Sequence, residues 1–267
     1  MSDIPTFEVD SVTKVYQSRG RRGQAVEALR DISFTVAPGQ SLGVVGESGS
    51  GKSTLSRLLL ALERPTSGSV RYRGEVISGR RERDLRDFRR HVQIVFQDPM
   101  SSLDPRMRVH DLLAEPLRAL HIDVDEGERV RELLASVEMP AAAARRYAYQ
   151  FSGGQRQRIA IARALGPSPE VLIADEPVSA LDVSVRAQIL NLLTGLVRDF
   201  NLTMVFVSHD MAVVRHLCDS VVVLYRGRLV ETGATEEVFE QPREDYTREL
   251  LAAAPRLRAQ RGLTPSN

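Results

Sequence analysis

Eight consecutive residues, Gly46-Glu47-Ser48-Gly49-Ser50-Gly51-Lys52-Ser53, carry the densest chemical pattern in the chain. A glycine, four residues and then Gly-Lys-Ser is the spacing of a P-loop, and its chemistry is the binding of phosphate. The glycines let backbone N–H groups turn inward around phosphate oxygens with no Cβ in the way. A helix after the loop points its positive end at the anion. Lys52 adds a point charge for β- and γ-phosphates, and Ser53 offers a hydroxyl to Mg²⁺. The apolar run 41–46 before the loop and the amphipathic stretch 52–62 after it supply the strand–loop–helix setting this chemistry needs. A glycine-rich turn with no ligand is the plainer alternative, and the setting argues against it. The loop by itself does not separate kinases, GTPases and transport ATPases.

A second chemical group is Val171-Leu172-Ile173-Ala174-Asp175-Glu176, an apolar strand ending in two carboxylates. An isolated acidic pair at a strand end is commonly a turn or a helix cap. In a parallel sheet, however, ligands bind at the carboxyl ends of strands, and a P-loop ATPase needs a carboxylate there for its Mg²⁺ shell. Asp175 is the metal-side candidate, which leaves Glu176 to orient or deprotonate an attacking water. His209, in Ser208-His209-Asp210, follows the apolar run 203–207. A lone histidine is more often structural, and His91, His110, His121 and His216 are read that way. At the end of such a strand His209 is read as a γ-phosphate contact. Gln97 follows the run 92–96 in the same manner. Its amide oxygen is a candidate Mg²⁺ ligand that would report nucleotide state to the segment after it.

These groups need elements to hold them. The runs 41–46, 92–96, 171–174, 203–207 and 221–225 are short and dense, as strands buried on both faces of a mostly parallel sheet are. Amphipathic stretches at 52–62 and 183–199 lie between them, the second with Val185, Ile189, Leu192, Leu193 and Leu196 at helical spacing. Alternating strands and helices predict an α/β fold. Residues 7–16 and 26–36 read instead as an antiparallel layer, joined by the Gly- and Arg-rich loop 17–23. Residues from about 98 to 165 read as mainly helical, a candidate separate lobe. Past Gly233 the helical pattern weakens into a polar tail from Arg256.

At 267 residues, 42% hydrophobic and 27% charged, the chain has an ordinary soluble composition. Its net charge of +1 offers no global case for nucleic acid. The basic runs 19–22, 80–90 and 256–261 read as solvated faces or loops. The one cysteine, Cys218, allows no internal disulfide and reads as a small apolar residue. Residues 1–10 have no apolar segment of the signal-peptide kind, and no apolar run is long enough to span a bilayer.

Phe151-Ser152-Gly153-Gly154-Gln155-Arg156-Gln157-Arg158 has no counterpart in P-loop kinases or GTPases. Ser152 and Gly153 stand at the start of the amphipathic stretch 154–165, as a helix cap whose N-terminus suits a γ-phosphate. An ordinary N-cap is the alternative for these residues alone. Here the chain resembles the ATP-binding-cassette (ABC) ATPases, whose signature is Leu-Ser-Gly-Gly-Gln. Phe151 stands where leucine is usual. The resemblance runs along nearly the whole chain, in order. Tyr16 resembles the aromatic that stacks on adenine, residues 46–54 through Thr54 the Walker A loop, and Gln97 the Q-loop glutamine. Ser152, Gly153, Gly154 and Gln155 resemble the signature, and 171–176 Walker B. Ser179-Ala180-Leu181-Asp182 resembles the D-loop, and His209 the switch histidine.

That resemblance implies a P-loop NTPase core with a mostly parallel sheet, an N-terminal antiparallel β layer and a helical signature subdomain. It implies an ABC ATPase domain over 1–235, with the helical subdomain at about 98–165, and a C-terminal extension over 236–267. It implies ATP and Mg²⁺ as cofactors. In the family two subunits sandwich two ATP molecules head to tail, so Ser152 and Gly153 would serve a partner's nucleotide. The stretches 96–106 and 175–184 and the tail Pro242-Arg243-Glu244-Asp245-Tyr246-Thr247-Arg248-Glu249-Leu250-Leu251 resemble the oligopeptide, dipeptide and nickel importer branch, in its F-type subunit. Tyr147-Ala148-Tyr149-Gln150 departs from the Tyr-Pro-His-Glu often found in that branch, and the chain lacks the C-terminal cysteine cluster that some chains of the branch carry. The branch implies a second ABC ATPase subunit, two transmembrane permease subunits and an extracytoplasmic solute-binding protein as partners, no nucleic acid, and a peripheral place on the cytoplasmic face of the cell membrane. An exporter ATPase, or a soluble ABC protein acting on nucleic acid or ribosomes, is the competing reading.

Overall fold

The computed structural model describes residues 4–17 and 25–253. The basic runs 19–22 and 256–261, most of the loop 17–23, and the tail from Arg256 lie outside them. In chain order the elements are β1 (Phe7–Gln17), β2 (Ala25–Val36), β3 (Ser41–Val45), α1 (Lys52–Leu59), β4 (Ser67–Tyr72), β5 (Glu75–Val76), α2 (Arg86–His91), β6 (Val92–Val95) and α3 (Pro99–Ser102). Then come α4 (Val109–Ala119), α5 (Glu126–Ser136), α6 (Gly153–Leu165), β7 (Val171–Asp175), α7 (Val183–Asp199), β8 (Thr203–Ser208) and α8 (Met211–Leu217). The last are β9 (Ser220–Tyr225), β10 (Arg228–Ala234), α9 (Thr235–Glu240) and α10 (Asp245–Ala253).

Two sheets organise these elements. One is antiparallel, in the order β2-β1-β4-β5. The other runs β10-β9-β3-β8-β7-β6, parallel from β9 to β6 with β10 antiparallel at one edge. Its central strands are mostly apolar, with Ser and Thr only at their ends, because both faces are covered. All of β3 and β8 is buried. Successive side chains alternate between two cores, as the period of a strand demands. Val171 and Ile173 of β7 and Val205 and Val207 of β8 join the core that holds β1, β2 and α1. Leu172, Ala174, Met204 and Phe206 join the other, which holds α4 to α8. The helices between 98 and 165 bury Leu112, Leu113, Leu133, Leu134, Ile159 and Ile161 in that same cluster.

The chain is therefore α/β, with an antiparallel layer, a mostly parallel sheet and a helical region. The structure differs from the sequence expectation at some boundaries. The helix expected over 52–62 stops at Leu59, because Ala61 adopts φ +51°. The signature helix begins at Gly153, one residue before the stretch expected from the pattern. β4 and β5 extend the antiparallel layer where no strand was expected, with Val70 and Tyr72 buried in it. Among the described residues no helix is long and apolar enough to cross a membrane.

Candidate functional site

Register places the chemical residues along one edge. Val45 of β3 is level with Ser208 of β8, Asp175 of β7 with Val207, and Val95 of β6 with Ala174. The loop 46–51, His209, Asp175 with Glu176, and Gln97 therefore leave four adjacent parallel strands on the same side. From β3 to β6 is three strand spacings, about 14 Å, the scale of a triphosphate with its metal and water. Gln97 is exposed, two residues past the end of β6.

The loop is shaped by backbone that only glycine adopts easily. Gly46 has φ +150°, and a Cβ there would meet Leu224 O at 2.2 Å and Ser50 Oγ at 2.7 Å. Gly51 has φ +110°, at the N-cap of α1, and its Cβ would meet Ala28 O at 2.7 Å. Lys52 is 5% exposed and its Nζ folds back onto the carbonyls of Gly46 at 2.7 Å and Glu47 at 2.8 Å. Burial lowers its pKa, and Glu176, Asp175 and Glu47 oppose that. The Ser50 hydroxyl is buried without a hydrogen-bond partner. Glu47, Ser48 and Gly49 are exposed, Ser53 is exposed, and Thr54 is half-buried.

Burial raises the Asp175 pKa, the Glu176 charge raises it further, and Lys52 and Arg57 oppose both. Two neighbouring carboxylates against one buried ammonium leave room for more positive charge. Glu176 Oε1 is 3.2 Å from His209 Nδ1. The glutamate is the more sheltered of the two, 19% against 59% exposed. Its backbone is left-handed, at φ +47°. The Glu176 N–H donates to Val207 O at 2.9 Å, and its own carbonyl accepts from the Ser179 N–H and hydroxyl at 3.2 and 3.1 Å. The bond to β8 and the two bonds from Ser179 thus hold a conformation that costs a non-glycine residue about 1–2 kcal/mol.

The nucleotide and metal fit these residues. A glycine cradle, a buried lysine bonded only to carbonyls and an orphaned Ser50 hydroxyl suit phosphate. The Ser53 hydroxyl, the Gln97 amide and the Asp175 carboxylate are hard oxygen donors, the chemistry Mg²⁺ prefers. On the flank, the Tyr16 hydroxyl donates to Glu63 at 2.7 Å and lies 3.5 Å from Thr54 Oγ1. Lys14 Nζ is 3.1 Å from Glu63 and 5.0 Å from the centre of the Tyr16 ring. Burial pushes Glu63 up, but the bonds from Tyr16 and Lys14 outweigh it and hold its carboxyl below the usual range. Sequence reasoning missed Glu63, which lies 47 residues from Tyr16 and has no motif of its own.

The remaining expected residues form a second group, at the N-termini of α6 and α7. Ser152 N-caps α6: its hydroxyl accepts from the Gln155 N–H at 3.3 Å, and Gln155 Oε1 accepts from the Ser152 N–H at 3.1 Å. Both residues are exposed. A Cβ on Gly153 would touch Leu181 at 3.6 Å, whereas one on Gly154 would strike Val185 Cγ1 at 2.3 Å. Asp182 N-caps α7, accepting from the Val185 N–H at 3.0 Å and the Ser184 hydroxyl at 2.9 Å, and these bonds lower its pKa. The signature and the 179–182 loop are thus packed together.

The family model described as ABC transporter matches residues 29–179. A Brucella ovis protein provisionally named as a peptide import ATP-binding protein is 45% identical over 257 residues, covering 96% of this chain and 80% of that one. The oligopeptide transport ATP-binding protein OppF of Lactococcus lactis subsp. lactis is 44% identical over 232 residues, covering 86% of this chain and 73% of its own. Among solved structures, a dimeric post-hydrolysis state of the ATP-binding cassette MJ0796 bound to ADP and Pi superposes with a TM-score of 0.76 at 29% identity. It covers 86% of this chain and 98% of that one.

Proposed function

Because the chain belongs to the ABC transporter family, we propose that it is the ATP-hydrolysing subunit that drives a peptide importer. The observation that carries the chemistry is the single strand edge. Lys52 and Ser53 follow β3, His209 follows β8, Asp175 ends β7 with Glu176 next to it, and Gln97 follows β6. The named relatives are import and oligopeptide transport proteins, which favours peptide over nickel as cargo.

In this reading Tyr16 stacks on the base, and residues 46–54 wrap the phosphates. Lys52 exchanges its two carbonyl partners for β- and γ-phosphate oxygens. Mg²⁺ held by Ser53, Gln97 and Asp175 would neutralise charge on the phosphate oxygens. Glu176 accepts a proton from the attacking water, while His209 holds the Glu176 carboxylate and reaches the γ-phosphate. Ser152, Gly153, Gly154 and Gln155 face a second chain, as does Asp182. An exposed capping box on α6 gives the N-terminal dipole an anion to meet, the γ-phosphate on the partner's loop. The partner is a sister ATPase or another copy. Residues 1–235 then form the ATPase domain, with about 98–165 as its signature subdomain, and 236–267 the extension.

Two permease subunits and a solute-binding protein complete the system, with this chain peripheral on the cytoplasmic face of the membrane. The permease contact belongs in the groove of about 250 Å³ between β6 and α4, lined by Phe96, Pro116, Leu120 and Ala164. Phe96 is 43% exposed there and adjoins Gln97, so a helix seated in the groove bears on the metal-side glutamine.

The test is purification from membranes followed by uptake assays in a deletion strain. Two permeases and a sister ATPase should co-purify, and peptide uptake should fail. Recovery of ribosomes or nucleic acid, or loss of Ni²⁺ uptake alone, would overturn the reading. In the purified complex Glu176→Gln should keep nucleotide affinity and lower kcat by about 10²–10⁴-fold, the usual contribution of a general base. Wild-type turnover by that variant would remove Glu176 from the mechanism.

A further inference from the structure

One contact to the phosphate loop comes from the far end of the chain. The Glu47 N–H donates to the Tyr246 hydroxyl at 3.1 Å, across 199 residues of sequence. Tyr246 is the second residue of α10, and its ring centre lies 4.1 Å from that of Tyr225. Tyr225 ends β9, which is hydrogen-bonded to β3, so the tilted ring pair stands beside the strand that feeds the loop. The approach to α10 is fixed as well. Glu231 of β10, 7% exposed, accepts the N–H groups of Arg243 at 2.8 Å and Glu244 at 3.3 Å. Arg248 returns to the carbonyls of Pro242 at 2.6 Å and Arg243 at 3.0 Å, closing the turn that presents Tyr246.

We infer that Tyr246 is a positioning residue for the phosphate loop, carried by the C-terminal extension and set by the Glu231 clasp. The inference rests on the reading of residues 46–54 as the nucleotide loop. A cradle of N–H groups binds an anion well only when the groups are already aimed, because ordering them on binding costs affinity. Gly46 is the pivot on which this loop could swing, with φ +150°. Glu47 follows the pivot directly, and its N–H is held by Tyr246. Three residues on, the Ser50 carbonyl accepts the N–H of Gly227, in the β9–β10 turn, at 3.0 Å. The loop is thus clamped at 47 and at 50 before nucleotide arrives. The extension contributes the clamp on the Glu47 N–H, beside the Lys52 bonds to the Gly46 and Glu47 carbonyls.

Full-length wild type, Tyr246→Phe, Glu231→Ala and the double variant provide the test. Mg·ADP affinity is read by titration calorimetry, and deuterium exchange of the segment 44–54 is read without nucleotide. Tyr246→Phe keeps the ring contact with Tyr225 and loses the acceptor. Loss of one net hydrogen bond should raise Kd about fivefold and speed exchange of the loop. Glu231→Ala should reproduce both effects, and the double variant should be no worse than either single, because both act through one contact. Unchanged Kd and loop exchange in Tyr246→Phe would overturn the inference while wild-type binding leaves the nucleotide-loop reading intact. A weaker Kd with lowered Tm and no local change in exchange would also overturn it, as general destabilisation. Failure of wild type to bind Mg·ADP would remove the nucleotide-loop reading and this inference together.

Discussion

Gly154 shows how one residue can satisfy two demands. Read as sequence, Ser-Gly-Gly-Gln is a helix cap begun by Ser152, and the structure adds the reciprocal bond from Gln155 that makes it a capping box. The reason for the second glycine was not legible, because it lies in the approach of α7, whose Val185 occupies the space a Cβ would take. Valine on a helix has one strongly preferred rotamer and cannot swing aside cheaply. Gly154→Ala should therefore lower stability by about 1–3 kcal/mol, the usual cost of overpacking, measured by denaturant unfolding. Adding Val185→Ala should recover most of that loss, and a double variant no better than Gly154→Ala would locate the constraint elsewhere. Glu63 was invisible for a similar reason: its bond to Tyr16 exists only once β1 and the segment after α1 are side by side.

Among the elements, the central strands were the most legible, because burial on both faces leaves continuous apolar runs. β4 and β5 were not. Only Val70 and Tyr72 of that hairpin are buried, and the rest is Ser, Gly, Arg, Glu and an exposed Val76, so the antiparallel partner β1 supplies the strand's identity. The C-terminal helices were weakly patterned because a buried carboxylate anchors the segment. Burial pushes Glu231 up, but the N–H groups of Arg243 and Glu244 and the Arg243 charge outweigh it and hold the carboxyl below its ordinary 4.5. A depressed folded pKa contributes stability that is complete above the unfolded value and lost as pH falls through the folded one. Lowering pH from 7 through 4.5 and below should then loosen the extension before the parallel sheet, read as protease cleavage between α9 and α10. Glu231→Gln should be cleaved faster at pH 7 and show a smaller change on acidification. An identical pH profile in both chains would exclude Glu231 as the anchor.

At the scale of the whole molecule, the parallel sheet separates two cores and gives the chemistry its edge. Burial of the central strands on both faces was legible; the exact junction of helical region and sheet was not, since both share one apolar cluster. Cys218 reports on that cluster. It is the one thiol of the chain and is buried beside Gly43, and burial and Asp219 push its pKa up. Thiol labelling should be slow in the native protein and follow loss of helical circular dichroism across a urea titration; rapid labelling without urea would show that β3 and α8 part independently. The left-handed backbone at Glu176 has a further consequence. Asparagine tolerates that conformation better than glutamate does, and its shorter amide cannot deprotonate water. Glu176→Asn should melt higher than wild type while turning over at least as slowly as Glu176→Gln. Selecting such proteins for heat resistance alone would therefore enrich slow enzymes, because turnover and durability are opposed at this one peptide unit.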